Sequence, residues 1–325
     1  MNILFLGYYS NEDGYKAAFD IFKNLCNITF FPLMLYYHND KDNLLNHLID
    51  SILINNIDVI IIWHNISTIN LLSNYLDKLL EFNKDKNKNI KFININWDPS
   101  IDNYNCNEYE KYFDLIFVSN PKLITSNKHK IFYAGYNPLI SYYHYDKDFI
   151  CDVVFVGTNL YTNSFWENQN LNRMVILDEI SKNNQINLHV YSPENNIICE
   201  RYKKYHKGFI KYKDCYKVFS NALFSLNISP LNNIEYDNKY YFSERLGQIL
   251  ACNSIMISNN NFGNLLVPNE DYIYIDDISK LIDIIIEYKN NPDKCEIIRN
   301  NYKKKLNIFN YEYIIPDIYK FIINN

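Results

Sequence analysis

The residues best suited to chemistry in this sequence are one arginine, one amide and a few acids and histidines at the ends of apolar runs. Arg245 and Gln248 lie three apart in Phe242-Ser-Glu-Arg-Leu-Gly-Gln-Ile-Leu-Ala-Cys252. At helical spacing they share one stripe with Tyr241, while Leu246, Ile249 and Leu250 form another that should face a core. An arginine fork binds phosphate oxygens bidentately. A helix N-terminus adds a dipole that favours anions. His64 follows Ile60-Ile-Ile-Trp63, and Asp98 follows an apolar run ending in Asn96-Trp97 and precedes Pro99. A histidine with an unperturbed pKa near ~6.5 suits a general base, and Asp98 suits a base or a hydroxyl anchor. Asp13 is a third acid, in the loop bracketed by Gly7 and Gly14. Each also has a bland reading: a neutral histidine bonded to a loop carbonyl, a turn former before proline, and an ordinary Asn-Glu-Asp-Gly loop.

The elements that must position these residues alternate along the chain. Apolar, β-branched runs at 3–6, 28–35, 59–63, 92–95 and 115–118 read as buried parallel strands, with helical patterns at about 15–25, 42–54, 68–82 and 106–112. The second half repeats the scheme. Strands are expected at 153–156, 186–190, 223–228, 255–257 and 272–275. Helices are expected near 170–182, 197–204, 212–221, 240–251, 278–290, 293–306 and 311–323. Alternation of this kind marks open α/β sheets. Such sheets bind ligands beyond the carboxyl ends of their strands, where Gly157-Thr158 and Lys207-Gly208-Phe209 also fall. There is no G-x-G-x-x-G run, so a dinucleotide fingerprint is missing.

Arg245-Leu-Gly-Gln-Ile-Leu-Ala-Cys252 resembles the Arg-Leu-x-Glu-Ala-Leu-Ala-Cys-Gly segment of group 1 glycosyltransferases, in the spore-maturation-protein (CgeB-like) branch. The flanks agree in order. They are Tyr205-His-Lys-Gly-Phe-Ile210, a helix, a strand ending Leu226-Asn227, and Asn269-Glu-Asp-Tyr-Ile-Tyr-Ile-Asp276. The resemblance covers residues 151–310, and reaches the first half only through Asn96-Trp-Asp-Pro99 and Ala134-Gly-Tyr-Asn-Pro138. It implies the glycosyltransferase B architecture, two Rossmann-like domains facing across a cleft. An acceptor domain would span 1–140 and a nucleotide-sugar domain 151–310, with a last helix in 311–325 returning to the first domain. It further implies that the diphosphate lies at Arg245 and near Gly157-Thr158. The nucleoside would lie along 207–211, with Glu244, Gln248 and Tyr241 nearby, and the acceptor hydroxyl near His64 or Asp98. Two departures stand out. Gln248 replaces the glutamate that holds donor ribose hydroxyls in that family, and Asn253 replaces the following glycine.

Composition bounds the alternatives. The net charge of −5 disfavours nucleic acid as a partner. Seven cysteines without a C-x-x-C pair, and an N-terminal Met-Asn-Ile-Leu-Phe-Leu-Gly that reads as a strand, suggest reduced thiols and a cytoplasmic protein. No run approaches the ~18 apolar residues of a membrane span. Asp40-Lys-Asp42 and Asp146-Lys-Asp148 carry the letters of a D-x-D metal motif but follow no buried strand, so no metal and no cofactor is expected. The nucleotide-sugar, with UDP favoured, is substrate. The rival reading is a catalytically silent carbohydrate- or nucleotide-binding protein of the same fold.

Overall fold

The computed structural model describes residues 1–7, 14–63, 66–96, 109–119, 121–157, 164–194, 197–228 and 242–324. The chain forms two compact units. One comprises 1–137 together with 311–325, and the other comprises 138–310.

The first unit runs β1 (Asn2–Gly7), α1 (Gly14–Lys23), β2 (Asn27–Pro32), α2 (Leu33–Asn39), α3 (Leu44–Ile54), β3 (Val59–Ile62), α4 (Ile66–Asp85), β4 (Lys91–Asn96), β5 (Leu115–Val118) and β6 (His129–Ile131). All strands pair in parallel, in the order β2-β1-β3-β4-β5-β6. The apolar run 28–35 is not one strand. It breaks at Pro32, which lacks the N–H a ladder needs, and Leu33–Asn39 turns into a helix that buries Leu33 and Met34. The short β6 has a half-polar sequence, His-Lys-Ile, which left no periodic signal.

Alternate residues of a strand face opposite sides, and the two faces of this sheet differ. One packs aliphatic residues, among them Leu4, Leu6, Ile60, Ile62, Leu72, Leu76 and Val118. The other is aromatic, with Phe5 against Phe19, Phe22, Phe30 and Trp63.

The second unit runs β7 (Cys151–Val156), α5 (Ser164–Ser181), β8 (Leu188–Tyr191), α6 (Ile197–Arg201), α7 (Cys215–Phe219), β9 (Ala222–Leu226), α8 (Glu244–Ala251), β10 (Ile255–Ser258), β11 (Ile273–Tyr274), α9 (Leu281–Lys289) and α10 (Pro292–Lys303). Its sheet order is β11-β10-β9-β7-β8, again all parallel. Counted within each unit, both sheets share the doubly wound order 2-1-3-4-5. The chain direction across the sheet therefore reverses between β1 and β3, and between β7 and β9.

Helix α11 (Tyr311–Asn324) belongs to the first unit, though it follows the second in sequence. The Tyr311 amide donates to the Tyr136 carbonyl at 2.9 Å. Its ring meets Trp63 edge-on at 6.1 Å and is fully buried. Pro316 sits inside this helix. The Lys91 ammonium reaches the Ile322 carbonyl at 3.3 Å, so the far end is tied as well.

Among the described residues no helix is long and apolar enough to cross a membrane. Six cysteines among the described residues are free thiols. Burial pushes Cys151 and Cys252 up to about 12, so both stay protonated and behave as small apolar groups.

Replacing Tyr311 by alanine removes a fully buried ring from the aromatic face and should cost about 3 kcal/mol. Tyr313→Ala, on a ring that is 55% exposed, should stay within about 0.5 kcal/mol of the parent. Urea denaturation followed by near-UV circular dichroism measures both. Equal effects would mean that α11 is not anchored through Tyr311.

Candidate functional site

In the second unit the reversal point lies between β7 and β9, and buried polar groups gather at its carboxyl edge. Gly157 ends β7, and its amide donates to the Tyr191 carbonyl at 3.0 Å. A Cβ at Gly157 would fall 3.0 Å from the Phe155 Cζ and 3.3 Å from an Arg245 terminal nitrogen. The guanidinium of Arg245 therefore lies against bare backbone, in space that only glycine leaves open. Its Cζ stands 5.7 Å from the centre of the Phe155 ring. A second guanidinium, that of Arg173 on α5, stands 5.9 Å from the same ring. Arg173 is 3% exposed, and its Nε donates to the Ile228 carbonyl at 3.1 Å. Two cations within about 6 Å of one aromatic ring, near one strand end, concentrate positive charge. The charge of Arg245 reaches Cys215, but burial dominates there and holds that thiol near 12.

The helix that carries Arg245 is fixed from both ends. Leu246, Ile249 and Leu250 are buried, as their spacing predicts. Ser243, at the N-cap of α8, donates through Oγ to Asn227 Oδ1 at 3.2 Å. Asn227 in turn belongs to a chain of bonds along the carboxyl edge. Ser258 Oγ donates to the Asn227 carbonyl at 2.7 Å, the Asn260 amide donates to Ser258 Oγ at 3.1 Å, and the Tyr272 hydroxyl donates to the Asn260 carbonyl at 2.8 Å. The backbone is thus well bonded, while three side-chain atoms are not. Asn227 Nδ2 and both polar side-chain atoms of Asn260 are buried without a partner. Each such group costs about 1–3 kcal/mol, and their clustering at a ligand-binding edge gives them a use.

Gln248 departs from its expected place. It is not on an open stripe with Arg245 but 3% exposed. Its Nε2 points at the Tyr212 carbonyl at 3.5 Å, the long limit of a hydrogen bond. The eight-residue helix buries this flank, Gly247 and Gln248 alike, and lies beside the helix Cys215–Phe219.

The residues near position 207 lie one strand further out. The Lys207 amide donates to the Val190 carbonyl at 2.9 Å, and the Ser192 amide donates to the Gly208 carbonyl at 3.2 Å. Gly208 has φ +95°, a conformation that favours glycine. Gly157 and Gly208 therefore flank the end of β8 at the same level, while Lys207 is exposed and Phe209 is 64% exposed. Glu244 opens the first turn of α8 and is half-buried. So the structure brings Gly157 and Arg245 together, sets Gly208 two strands from them, and buries Gln248.

Thr158, Tyr241, His64, Asp98 and Asp13 lie outside the described residues, as does Tyr240. What is described around them in the first unit is informative. Asn94 and Asn96 share one face of β4. Asn94 Nδ2 donates to the Ile62 carbonyl at 3.0 Å. Asn96, at the carboxyl end, is fully buried with both side-chain polar atoms unpartnered. Neither it nor Asn227, Asn260 and Arg173 stood out as a site residue in the sequence, since asparagine is abundant throughout. The usable signal was position: each asparagine ends an otherwise apolar run, and Arg173 interrupts an apolar helix face.

The two D-x-D runs serve local structure. Asp40 accepts from Asn43 Nδ2 at 2.9 Å and pairs with His47 at 2.8 Å, and these bonds hold its carboxyl below the usual range. Asp146 accepts the Asp148 amide at 3.1 Å. Among the described residues no group of three His, Cys, Asp or Glu is placed to hold a metal ion.

Residues 173–319 match the family described as glycosyl transferase-like. No curated protein matches the chain in sequence. In fold it is similar to a glycosyltransferase from Rickettsia africae, with a TM-score of 0.64 at 12% identity, covering 100% of this chain and 99% of that one. It is also similar to a trehalose-6-phosphate synthase (TM-score 0.63, 10% identity, 100% and 99% covered). A third is the UDP-GlcNAc 2-epimerase of Neisseria meningitidis bound to UDP-GlcNAc (0.59, 11%, 100% and 100%). At these identities the likeness fixes the architecture, two Rossmann-like units on parallel sheets, and leaves the chemistry to the residues.

The Gln248 geometry gives a direct expectation. Gln248→Glu turns a donor facing the Tyr212 carbonyl into a buried carboxylate facing it, and should destabilise the protein by about 1–3 kcal/mol. Denaturant titration at pH 7 checks this. An unchanged midpoint would mean that the side chain is free to swing out to solvent.

Proposed function

We propose that this protein is a glycosyltransferase that moves a sugar from a nucleotide-sugar, with UDP as the favoured nucleotide, to an acceptor hydroxyl. The observation that carries the reading is the pair of guanidinium groups over Phe155, one of them resting on Gly157 at the reversal point of the second sheet. A leaving diphosphate develops charge as the glycosidic bond breaks. Fixed cations beside a strand end stabilise that charge without solvent reorganisation. The family match supports the reading, since it spans α8, β9 and β10.

In this mechanism Arg245 binds the diphosphate bidentately, with the Gly157 backbone giving it room. Arg173 braces the Phe155 ring and the Ile228 carbonyl and adds a second positive charge. The nucleoside lies towards Gly208 and Phe209. The buried amides of Asn227 and Asn260 are suited to sugar hydroxyls, which can both donate and accept. On the acceptor side the first unit offers Asn96, with His64 or Asp98 as the base that takes the hydroxyl proton. Two arginines supply the charge that a bound cation supplies elsewhere, so the reaction is proposed to be metal-independent.

A second reading is a binding protein of the same fold that no longer turns over. The buried, inward-facing Gln248 favours it, because the resembled glycosyltransferases carry there a glutamate for the donor ribose.

Turnover separates the two. Release of UDP from UDP-glucose or UDP-N-acetylglucosamine, measured with and without EDTA, is expected to be catalysed and insensitive to the chelator. Binding without release would leave only the second reading, and restoration by Mg²⁺ or Mn²⁺ alone would overturn metal independence. Arg245→Ala should weaken UDP binding by roughly tenfold to a hundredfold, the worth of a charge-assisted contact, and leave uridine binding within about threefold. Calorimetry that shows equal losses for both ligands would place Arg245 away from the phosphates.

A further inference from the structure

The opposite, amino-terminal edge of the second sheet carries a feature that the transfer reaction does not use. An open groove of about 320 Å³ is lined by Tyr143, Tyr145, Ile150, Asn221, Asn253 and Arg299 among others. It lies wholly within the second unit. Ile150 precedes β7 and Asn221 precedes β9, so the length of β7, ~20 Å at the usual strand rise, separates this groove from Gly157.

Two aromatic side chains dominate the groove. Tyr143 is 55% exposed and Tyr145 is 64% exposed, with Ile150 at 48% beside them. The backbone beneath these rings is held fast. His144 N–H donates to Ser220 Oγ at 2.9 Å, and Ser220 Oγ donates to the Tyr142 carbonyl at 3.1 Å. Asp146 N–H donates to Asn221 Oδ1 at 2.8 Å, and Asn221 Nδ2 donates to the His144 carbonyl at 2.8 Å. Tyr142 itself stacks on Tyr216 at 4.7 Å. The stretch 137–151, which by composition reads as a linker, is thus pinned at three successive alternate residues, and it presents the two intervening tyrosines to solvent. Large aromatic rings kept exposed on a fixed backbone suit a binding face.

The chemistry of the wall selects the ligand. Among the described residues no carboxylate lines the groove, which disfavours a cation. The Arg299 side chain is engaged already, with Nε donating to the Asn253 carbonyl at 3.0 Å and Nη1 bonded to Glu296, which disfavours an anion. What remains is two exposed aromatic faces with their two phenol hydroxyls, beside the apolar Ile150 side chain. A pyranose matches this set. Its C–H face packs on an aromatic ring while its hydroxyls bond to the phenol groups. The volume lies at the small end of ligand pockets, roughly 300–1,000 Å³, and admits one or two sugar rings. We propose that this groove is a second carbohydrate-binding site, taking a neutral glycan, separate from the site at Arg245 and independent of whether that site turns over.

Saturation-transfer NMR on the full chain with chitotriose, cellotriose and maltotriose tests it. At least one trisaccharide should bind with millimolar affinity. Tyr143→Ala combined with Tyr145→Ala should weaken that binding at least tenfold while UDP affinity stays within twofold. Tyr145→Ala alone, on the more exposed ring, should weaken it at least threefold and serves if the double variant folds poorly. Saturating UDP should leave the trisaccharide signal unchanged. Absence of binding by all three sugars, binding that survives the tyrosine replacements, or displacement by UDP would each overturn the proposal. So would binding of a proline-rich peptide that competes with the bound sugar. The UDP arm keeps this outcome distinct from any failure of the donor reading.

Discussion

A parallel strand buried on both faces has its ends alone to offer to a ligand, and most of this structure follows from that constraint. Most strands of both sheets are largely apolar, the half-polar β6 apart, and a set of polar residues enters at the last positions or just past them. Asn96, Gly157, Asn227, Ser258 and Asn260 all obey this rule. The doubly wound order then decides which of these ends are open. Where the winding reverses, the connecting segments leave in opposite directions and uncover the gap between neighbouring strands. Gly157 stands at that gap in the second unit, and the helix bearing Arg245 starts beside it.

Energetics at that edge run against stability. Guanidinium groups next to an aromatic ring gain about 0.5–2 kcal/mol from the cation–π contact, while buried amides without partners lose a comparable amount each. A protein selected for stability alone would place leucine at Asn227 or Asn260. The hydrogen-bonded run from Ser243 through Asn227, Ser258 and Asn260 to Tyr272 shows where the balance is recovered. It satisfies backbone groups of the segments after β9 and β10 and leaves Asn227 Nδ2 and the Asn260 side chain for something else.

The architecture was legible in the sequence because long apolar runs alternating with helical patterns have few other readings. Arg245 and Gly157 were legible for the same reason: each sits at a fixed offset from a strong element. Gln248 is buried although a spacing of three from Arg245 gives a shared open stripe on an ideal helix. The short α8, packed on two sides, buries part of that stripe. Leu33–Leu35 was read as strand because apolar residues fit either element, and the proline that decided the matter was outweighed by the run around it. The roles of Asn227 and Asn260 were hidden by composition. In a chain so rich in asparagine, one at a strand end carries no special mark until its lack of partners is seen. Arg173 was hidden differently, because a lone arginine, even beside an apolar helix face, normally reaches out to water.

The first unit is assembled from two separated stretches of polypeptide, with the whole of the second unit inserted between them. On the ribosome this imposes an order. The first 137 residues emerge with the aromatic side of their sheet missing the Tyr311 ring that covers Trp63. That surface must wait through the synthesis of more than 170 further residues, ~10–35 seconds at common elongation rates. The second unit, contiguous in sequence, meets no such delay and can complete its core first. The half of the molecule that begins first is therefore the one that finishes last, and its exposed aromatic face is the natural target for a chaperone during the interval.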